Sequence, residues 1–377
     1  RTENFFLRIF QILEFNQFNT GSVHQMFQAA AGLRARGHDV TVISRPDATL
    51  RERCEASGVA FIGLPLRHQF DIGSVRRLQR IVDKQRPDVI HVHKGVAHAI
   101  ALAAAWRHPV GAFIVNRGVS FPLDVWNRAK FRTRRVDRVV TVCEQIRQVV
   151  VASGKLPPEK VVVVYAGTDI NHFDPAKWPP ENFRREKNIA DADFLIGQVG
   201  VRDWKGWKEL VDAAVIVPRI RIALIGCRSD AEKSEVMSYA RERGVADRVL
   251  AVEYRTDMPN VLAGCDLVAD ASWAGTGITG TIREAMAMQK PVIATDCGGN
   301  AELVSSADVG WLVPPRDVRA LVKAIEEVIG DRNRAARVAK NAREHVVRGF
   351  SADLRIARLE SLYATVLELR SADRSKA

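Results

Sequence analysis

The sequence predicts an α/β fold of two Rossmann-like, doubly wound domains that face a central cleft. The chain has 377 residues, of which 47% are hydrophobic, and this is enough for two packed domains of roughly 100 to 200 residues each. Short apolar segments alternate with helical patterns along the chain, which is typical of parallel sheets covered by helices. A polar stretch at residues 171–193 interrupts the alternation once, and it is interpreted as a linker between the domains.

The first domain begins with a βαβ unit. Leu7 to Glu14 is an apolar, β-rich segment, and the turn Asn19-Thr20-Gly21 separates it from the helical stretch Val23 to Arg36. The apolar run Asp39 to Ser44 is then short enough for a buried strand. Further strands are predicted at Phe61 to Leu64, Asp88 to Val92, Gly111 to Val115, Arg138 to Val142 and Val161 to Val164. These elements place the first domain at residues 1–168.

The second domain repeats the alternation at residues 169–350. Its strands are predicted at Leu195 to Val199, Ile220 to Ile225, Val249 to Val252, Leu267 to Asp270, Pro291 to Thr295 and Gly310 to Val313. Its helices are predicted at Glu232 to Arg243, Met258 to Gly264, Gly280 to Met288 and Val318 to Ile329. The last helical stretch, Ser351 to Leu369, is expected to pack back on the first domain, so that residues 351–377 belong with it.

The net charge of +12 indicates affinity for anionic partners. Nucleotides, phosphorylated substrates and anionic lipid surfaces fit this charge, and so do ordinary solvated helix faces. The five cysteines are never spaced as CxxC, so they are interpreted as reduced core residues. No apolar stretch reaches the roughly 18 to 20 residues of a membrane span, and the first residues lack the features of a secretory signal. A cytoplasmic location is therefore expected.

Two segments at predicted strand ends are candidate ligand sites. Open parallel sheets bind ligands at the carboxyl ends of their strands, where helix N-termini attract negative charge. Gly21 opens the first helix, although a tight strand-to-helix connection explains it equally well. Arg202 and Lys205 follow the strand that ends at Val199, and they offer a planar fork and a point charge to a diphosphate. An ordinary surface loop is the alternative interpretation of these cations.

The glycine-rich segment from Ser272 to Ala287 is the strongest indication of an anion site. Its loop runs directly into a predicted helix, so the first N–H groups of that helix would be free to bind an anion. The residues concerned are Gly277, Ile278, Thr279, Gly280 and Thr281. Glu284 lies one turn further on and can accept two hydroxyl hydrogen bonds, as a ribose would offer. Pairing with the helix dipole is the alternative interpretation of Glu284.

Several runs in both halves of the chain match one known pattern. In the second half they are Arg283 to Ala287, Pro291 to Asp296 and Gly298 to Glu302, and in the first half they include Gly37 to Val42 and Pro87 to His93. These runs resemble the retaining glycosyltransferases of family 4 (glycosyl transferases group 1), which have the GT-B fold. The resemblance implies sugar transfer from a nucleotide-diphosphate sugar, with UDP or GDP as the nucleotide and without a metal ion or other cofactor.

The resemblance also implies roles for individual residues. Arg202 and Lys205 match the phosphate-binding cations of the family, and Glu284 matches its ribose-binding glutamate. The nucleotide base would lie near Gly226 and the pair Tyr254-Arg255. The sugar would be transferred by front-side attack, in which the leaving diphosphate helps to take the proton of the acceptor.

Three positions depart from the family pattern. The first of two usual glutamates would fall at position 276, where this chain has Thr276, whose hydroxyl can bind a sugar without carrying charge. A histidine expected after the strand at 111–115 is replaced by Asn116-Arg117. Because Arg117 stays protonated, it would hold a phosphate or carboxylate rather than act as a base. The paired glycines of the first loop are reduced to Gly21.

The acceptor side is assigned to four residues, His93, Lys94, Asn116 and Arg117. His91 and His93 alternate with Val92, so they are expected on opposite faces of the strand, with at least one near the cleft. A satisfied structural role is favoured for His91. The triplet Asp191-Ala192-Asp193 has the spacing of a metal-binding motif, but it precedes a strand and is interpreted as a loop.

Two functions are consistent with these residues. The first is an active hexosyltransferase that builds a cell-envelope glycan or glycolipid, such as lipopolysaccharide, while its basic first domain rests on the anionic inner face of the plasma membrane. The second is a catalytically weakened nucleotide-sugar-binding protein, because Thr276 and Arg117 replace expected groups. An NAD-dependent dehydrogenase suits the fold, but the chain offers no convincing dinucleotide-binding GxGxxG motif. Nucleic-acid binding is suggested by charge alone.

Overall fold

The computed structural model describes residues 6–16, 21–106, 110–274 and 277–374, with side chains up to residue 372. The chain divides into two compact units, one formed by residues 1–167 with 352–377 and the other by residues 168–351. Each unit holds one parallel sheet with flanking helices. The predicted α/β class with two Rossmann-like domains is confirmed.

Unit 1 contains a seven-stranded sheet in the order β3-β2-β1-β4-β5-β6-β7. Its strands are β1 (Arg8–Leu13), β2 (Asp39–Ser44), β3 (Ala60–Gly63), β4 (Val89–Val92), β5 (Ala112–Arg117), β6 (Arg138–Thr141) and β7 (Val161–Val163). Its helices are α1 (Gly21–Ala35), α2 (Ala48–Ala56), α3 (Ile72–Gln85), α4 (Gly95–Ala104), α5 (Val125–Arg132), α6 (Glu144–Gly154) and α15 (Ala352–Arg374). Because helices cover a parallel sheet, its central strands are continuous apolar runs rather than alternating ones.

The C-terminal helix α15 packs within unit 1. Ile356, Leu359 and Tyr363 are at most 4% exposed, in the same core cluster as α1 and β1. Tyr363 Oη accepts a hydrogen bond from Gln11 Nε2 at 3.2 Å. A Cβ atom added to Gly32 of α1 would lie 2.1 Å from Ile356 Cδ1. The missing side chain at Gly32 therefore lets α15 approach α1 closely.

His91 and His93 lie on the same side of β4, so the predicted opposite placement is wrong. Their ring centroids are 4.3 Å apart and their planes differ by 24°, because residues two apart in a strand share a face. Nδ1 of His91 lies 2.6 Å from Tyr363 Oη. His93 is 3% exposed, and its Nε2 lies 2.5 Å from Gln11 Oε1. The structure thus buries His93 in the core, where an acceptor would not reach it.

Unit 2 contains a six-stranded sheet in the order β10-β9-β8-β11-β12-β13. Its strands are β8 (Phe194–Val199), β9 (Ile220–Cys227), β10 (Val249–Glu253), β11 (Leu267–Asp270), β12 (Val292–Thr295) and β13 (Trp311–Val313). Its helices are α7 (Glu181–Glu186), α8 (Trp207–Ile216), α9 (Asp230–Glu242), α10 (Met258–Gly264), α11 (Gly280–Ala287), α12 (Asn300–Leu303), α13 (Val318–Gly330) and α14 (Arg332–Gly349).

Unit 2 differs from the prediction at the expected linker and in four helices that were not predicted, α7, α8, α12 and α14. Residues 171–193, predicted as a linker, belong to this unit, because Phe173 and Phe183 are buried in it. Arg343 Nη1 also donates a hydrogen bond to the Phe173 carbonyl at 3.1 Å. Helix α14 was not predicted, since three of its five buried residues are alanines set among charged residues.

Within the described parts of the chain, no helix combines the length and hydrophobicity that crossing a bilayer requires. None of the five cysteines, which all lie in the described ranges, forms a disulfide, and all except Cys297 are buried. Burial raises the pKa of the Cys54 and Cys265 thiols to about 12. The prediction that the cysteines are core residues is confirmed for the four buried ones.

His98 of α4 is expected to make unit 1 sensitive to acid. It is 1% exposed, and neither ring nitrogen has a hydrogen-bond partner among the described residues. Burial lowers the pKa of His98 from 6.5 to about 3. Between these two values the unfolded chain binds a proton that the folded chain does not, so the protein loses stability as the pH is lowered. Relative to the parent, His98→Leu should gain about 2 kcal/mol in free energy of unfolding between pH 8 and pH 5.

Urea unfolding at both pH values measures this gain. His68, which is exposed, offers a matched control, and His68→Leu should show no such pH-dependent gain. A His98→Leu difference that stays constant between the two pH values would contradict the lowered pKa.

Candidate functional site

A buried carboxylate organises the carboxyl ends of β8, β11 and β12 in unit 2. Asp270, the last residue of β11, is 3% exposed. Its Oδ1 accepts a hydrogen bond from Ser272 Oγ at 2.7 Å, and its Oδ2 accepts from Thr279 Oγ1 at 2.8 Å and Asn300 Nδ2 at 3.2 Å. Lys205 Nζ lies 3.5 Å from Asp270 Oδ1. These five residues are called the Asp270 cluster below.

The Asp270 cluster fixes the turn that begins α11. Thr279 N donates to Asn300 Oδ1 at 3.0 Å, and Gly299 N donates to the Gly277 carbonyl at 3.1 Å. The prediction that all N–H groups of residues 277–281 are free is therefore wrong for Thr279. The first turn of α11, which begins at Gly280, still has N–H groups without partners inside the helix, so a helix N-terminus lies beside the cluster.

Lys205 is positioned by a loop that packs on the end of β11. Its carbonyl accepts a hydrogen bond from Gln198 Nε2 at 3.0 Å, and Gln198 Oε1 accepts from Ala271 N at 3.3 Å. Gly206 has a φ of +66°, and a Cβ atom there would lie 1.9 Å from the Ala271 carbonyl oxygen. Only glycine tolerates both conditions, so the backbones of the two loops are in direct contact.

Arg202, the second predicted phosphate ligand, has different surroundings. Like Lys205 it follows the carboxyl end of β8, as predicted. Its side chain is exposed, and no residue in the described ranges accepts a hydrogen bond or ion pair from it. The guanidinium group of Arg202 can therefore bind an anion without giving up a partner, whereas Lys205 would share its charge with Asp270.

Glu284 presents a partly exposed carboxylate on α11. Burial raises its pKa, and the neighbouring Arg283 partly opposes this. No donor among the described residues bonds to the carboxylate of Glu284. Arg283 itself is 3% exposed and donates to Thr168 Oγ1 at 2.9 Å. Glu284 thus retains acceptor capacity for hydroxyl groups, while Arg283 is anchored in the unit.

The residues predicted near a nucleotide base lie at the carboxyl ends of β9 and β10. Gly226, the residue before the last one of β9, has a φ of +98°. Tyr254 N donates to the carbonyl of the last residue of β9 at 3.2 Å, and the Tyr254 side chain is 49% exposed. Arg255 is held at 2.7 Å by Asp257 and at 2.6 Å by Glu186, and these carboxylates raise its pKa. Tyr254 is open to a ligand, and Arg255 is committed to ion pairs.

In unit 1, the remaining acceptor-side candidates lie after β4 and at the end of β5. Asn116 and Arg117 are the last two residues of β5. Arg117 Nη2 donates to the Phe121 carbonyl at 2.7 Å, and burial lowers the pKa of Arg117. Lys94 Nζ lies 4.2 Å from the centroid of the Phe15 ring, which is a cation–π contact. These cations therefore already have partners within unit 1.

Glu14 is a functional candidate that the sequence analysis did not single out. It follows β1, is 6% exposed, and accepts hydrogen bonds from Val96 N at 3.3 Å and Ala97 N at 3.2 Å. These N–H groups belong to the first turn of α4, where a carboxylate is favourable. The available signal was an acidic residue at the end of a mostly apolar strand, and Asp270 offered the same signal.

Thr276 and Gly21 are the two remaining predicted site residues. Thr276 lies outside the described residues, and its role stays a prediction. Gly21 is the first residue of α1, and a Cβ atom added there would meet nothing within 4 Å. Packing therefore does not require glycine at position 21.

The triplet Asp191-Ala192-Asp193 lies before β8, at the edge of the sheet opposite to the Asp270 cluster. Asp193 Oδ2 accepts a hydrogen bond from Arg221 Nη1 at 2.8 Å, and this bond lowers the pKa of Asp193. Asp191 is exposed. These two carboxylates lie in the turn before β8, where Asp193 forms an ion pair with Arg221 of β9, and they are remote from the Asp270 cluster.

Two family models match the chain, one in each half. The model described as Glycosyl transferases group 1 matches residues 180–345, and the model described as Glycosyltransferase Family 4 matches residues 20–172. The first match contains the Asp270 cluster, Arg202 and Glu284. Together the two matches span most of both units.

Relatives of similar length include a mannosyltransferase and a galactosyltransferase. The lipopolysaccharide core biosynthesis mannosyltransferase LpsB of Rhizobium meliloti is 28% identical over 63% of this chain and 68% of its own. The UDP-Gal:alpha-D-GlcNAc-diphosphoundecaprenol alpha-1,3-galactosyltransferase of Escherichia coli is 22% identical over 86% of this chain and 88% of its own.

Solved structures share the fold of the whole chain. A glycosyltransferase from Rickettsia africae aligns with a TM-score of 0.87 at 20% identity, over 96% of this chain and 99% of that one. Anabaena HepE in complex with UDP aligns with a TM-score of 0.83 at 21% identity, over 95% of this chain and 100% of that one. At these identities the likeness concerns the fold.

Proposed function

We propose, since the chain belongs to the family 4 glycosyltransferases of group 1 and has the GT-B fold, that it is a retaining, metal-independent hexosyltransferase. It moves a sugar from a nucleoside-diphosphate sugar to a cell-envelope glycan or glycolipid. The observation that carries this proposal is the Asp270 cluster, in which Lys205 lies beside the start of α11 and follows the exposed Arg202. Two cations and a helix N-terminus can stabilise the charge of a departing diphosphate.

The chemistry follows from the charge that leaves the sugar. As the bond between the sugar C1 and the diphosphate oxygen breaks, Arg202 and Lys205 stabilise the negative charge on the phosphates. The acceptor oxygen forms its bond to C1 on the same face, and its proton passes to the departing diphosphate. Arg117 cannot take that proton, because a guanidinium stays protonated. In the proposed reaction, which follows the mechanism of the family, the diphosphate is both the leaving group and the base.

UDP is the first nucleotide to test, and GDP is the second. HepE was solved with UDP, and the Escherichia coli relative is named for UDP-Gal. The names of LpsB and of the Escherichia coli relative support the acceptor class, because they concern a lipopolysaccharide core and a diphosphoundecaprenol-linked sugar. We place the reaction in the cytoplasm at the inner face of the plasma membrane.

Nucleotide binding and donor turnover test the proposal in turn. Calorimetry with UDP, GDP and ADP should show binding of one of them, and UDP-glucose, UDP-galactose or GDP-mannose should be hydrolysed in the presence of EDTA. The configuration at C1 of the first product, read by NMR, should match the donor. If no nucleoside diphosphate binds, the proposed function is wrong.

A catalytically weakened nucleotide-sugar-binding protein is the alternative, because of Thr276 and Arg117. Under the proposed function, Thr276→Glu should alter the preference among donor sugars while leaving UDP affinity within about twofold, a range below 0.5 kcal/mol. Competition assays among UDP-sugars measure this. Clear UDP binding without turnover of any donor by the parent would instead favour the alternative.

Glu284→Gln is expected to weaken UDP binding by about 1 to 2 kcal/mol, because a ribose hydroxyl loses a charged acceptor. The affinity for 2′-deoxy-UDP should fall less. Glu326, an exposed glutamate on α13, provides the control, and Glu326→Gln should leave both affinities unchanged. Equal losses for the two nucleotides in Glu284→Gln would assign a purely structural role to Glu284.

A further inference from the structure

Unit 1 exposes large apolar side chains near the starts of two helices. Trp126 is 84% exposed, Val125 72% and Phe121 63%, in the first turn of α5 and the loop before it. Phe70 is 75% exposed and Ile72 63%, at the start of α3. Large apolar groups gathered on a surface mark a site of interaction with a partner or a membrane.

These two groups lie at one edge of the sheet. Helix α3 follows β3 and helix α5 follows β5, and both strands belong to the same parallel sheet. The carboxyl ends of parallel strands meet at a single edge, so both helices begin there. A broad, flat partner could therefore contact both groups at once.

Cations follow the apolar residues along each helix. On α5, Val125, Ala129 and Arg132 are all exposed, and their spacing of four and three residues places them on one face. On α3, the exposed Arg76 and Arg80 lie four and eight residues after Ile72. Both helices thus carry apolar side chains at their starts and arginines further along the same face.

The acidic residues at these helix starts are occupied by helix caps. Asp71 accepts a hydrogen bond from Ser74 N at 3.0 Å, and Asp124 accepts one from Asn127 N at 2.7 Å. The partial positive charge of each helix N-terminus offsets these carboxylates further. Their charges oppose the arginines less than free carboxylates would.

We propose that the starts of α3 and α5 form a docking surface for an anionic phospholipid bilayer. Tryptophan and phenylalanine favour the headgroup region, where a ring can be half buried, and arginines near the surface attract anionic headgroups. The net charge of +12 acts in the same direction over a longer range. The inference rests on the proposed function only for its purpose, which is to bring unit 1 to a membrane-bound acceptor.

Vesicle flotation tests this surface with the full-length protein. The parent should bind vesicles of phosphatidylcholine and phosphatidylglycerol at least tenfold more tightly than vesicles of phosphatidylcholine alone. The double variant Val125→Ser/Trp126→Ser should lose at least tenfold of that partitioning. Val215 and Ile216, exposed by 48% and 54% at the end of α8 in unit 2, give the matched control Val215→Ser/Ile216→Ser, which should stay within about twofold of the parent, or 0.4 kcal/mol.

Two further variants separate the apolar and the charged parts. Phe70→Ser should weaken vesicle binding both in the parent and in the Val125→Ser/Trp126→Ser background, because Phe70 lies near α3 and not on α5. Arg132→Gln should weaken binding about fivefold on anionic vesicles and leave binding to neutral vesicles unchanged. Far-UV circular dichroism and the urea-unfolding profile should stay at the parental level in all variants, which shows that they are folded, and UDP binding in solution should also be unchanged.

Partitioning of Val125→Ser/Trp126→Ser equal to that of the parent would overturn the proposal. So would a parent that binds neither kind of vesicle, which would leave the surface to a protein partner, or one that binds both kinds equally. If the parent binds anionic vesicles through these residues but binds no nucleoside diphosphate, the docking surface stands and the proposed function fails.

Discussion

Lys205→Ala and Arg202→Ala should each weaken UDP binding by about 1.5 to 3 kcal/mol, which is the usual contribution of a hydrogen bond to a charged group. The two side chains follow β8 at the edge where the Asp270 cluster meets the start of α11. Because they would contact phosphate and not the nucleoside, the affinity for uridine should change little. Calorimetry with UDP and uridine measures both effects.

Lys208 supplies a matched control for the two cations. Its Nζ lies 3.5 Å from Asp203 and 3.8 Å from Glu235 on the surface of the same unit, so Lys208→Ala should keep the parental UDP affinity. Arg202→Ala is the cleaner of the two tests, since no described residue forms a hydrogen bond or ion pair with the Arg202 side chain. Parental UDP affinity in both Arg202→Ala and Lys205→Ala would make the phosphate assignment wrong.

Asp270→Ala should destabilise unit 2 by about 3 to 5 kcal/mol, as expected when one partner of a buried ion pair is removed. The change leaves Lys205, Ser272, Thr279 and Asn300 without their shared acceptor. Because two units can unfold separately, a single unfolding transition does not report unit 2 alone. Hydrogen exchange of the α11 amides measures the local loss directly.

Asp191→Ala is the control for this substitution. Asp191 is exposed on the opposite edge of the same sheet, and its removal should change stability by no more than about 0.5 kcal/mol. Asp270→Asn, which keeps the shape and loses the charge, should fall between the two. Exchange of α11 in Asp270→Ala at the parental rate would show that the cluster does not hold this helix.

The strands were predictable because each is a short, mostly apolar run, and most of them are buried under helices. All of β1 to β13 lie close to their predicted positions. Helix α14 escaped prediction because alanines form most of its buried face, and alanine gives a weak periodic signal. The stretch at 171–193 looked like a linker because its many polar residues conceal Phe183, which the structure buries completely.

The sequence predicted the candidate site residues only where a charged side chain directly follows a strand or a glycine-rich loop. Arg202 and Lys205 follow a strand, and Glu284 follows a glycine loop, so the rule for parallel sheets located them. The Asp270 cluster was missed because its members come together through the neighbouring positions of β8, β11 and β12 in the sheet. The order of these strands in the sheet could not be predicted from the sequence. The contact between Asp270 and Asn300 spans 30 residues, and no local pattern indicates it.

The contact between Gly206 and Ala271 has a mechanical consequence. With no room for even a methyl group between them, and with Trp273 N bonded to the Trp204 carbonyl at 3.0 Å, the two loops have to move as one body. If Lys205 binds a diphosphate, as we propose, a displacement of Lys205 would also displace the loop at residues 271–274, which leads towards Thr276. UDP without any sugar should then slow amide exchange in both loops, and the bound nucleotide would fix the loop at which we expect the sugar to bind.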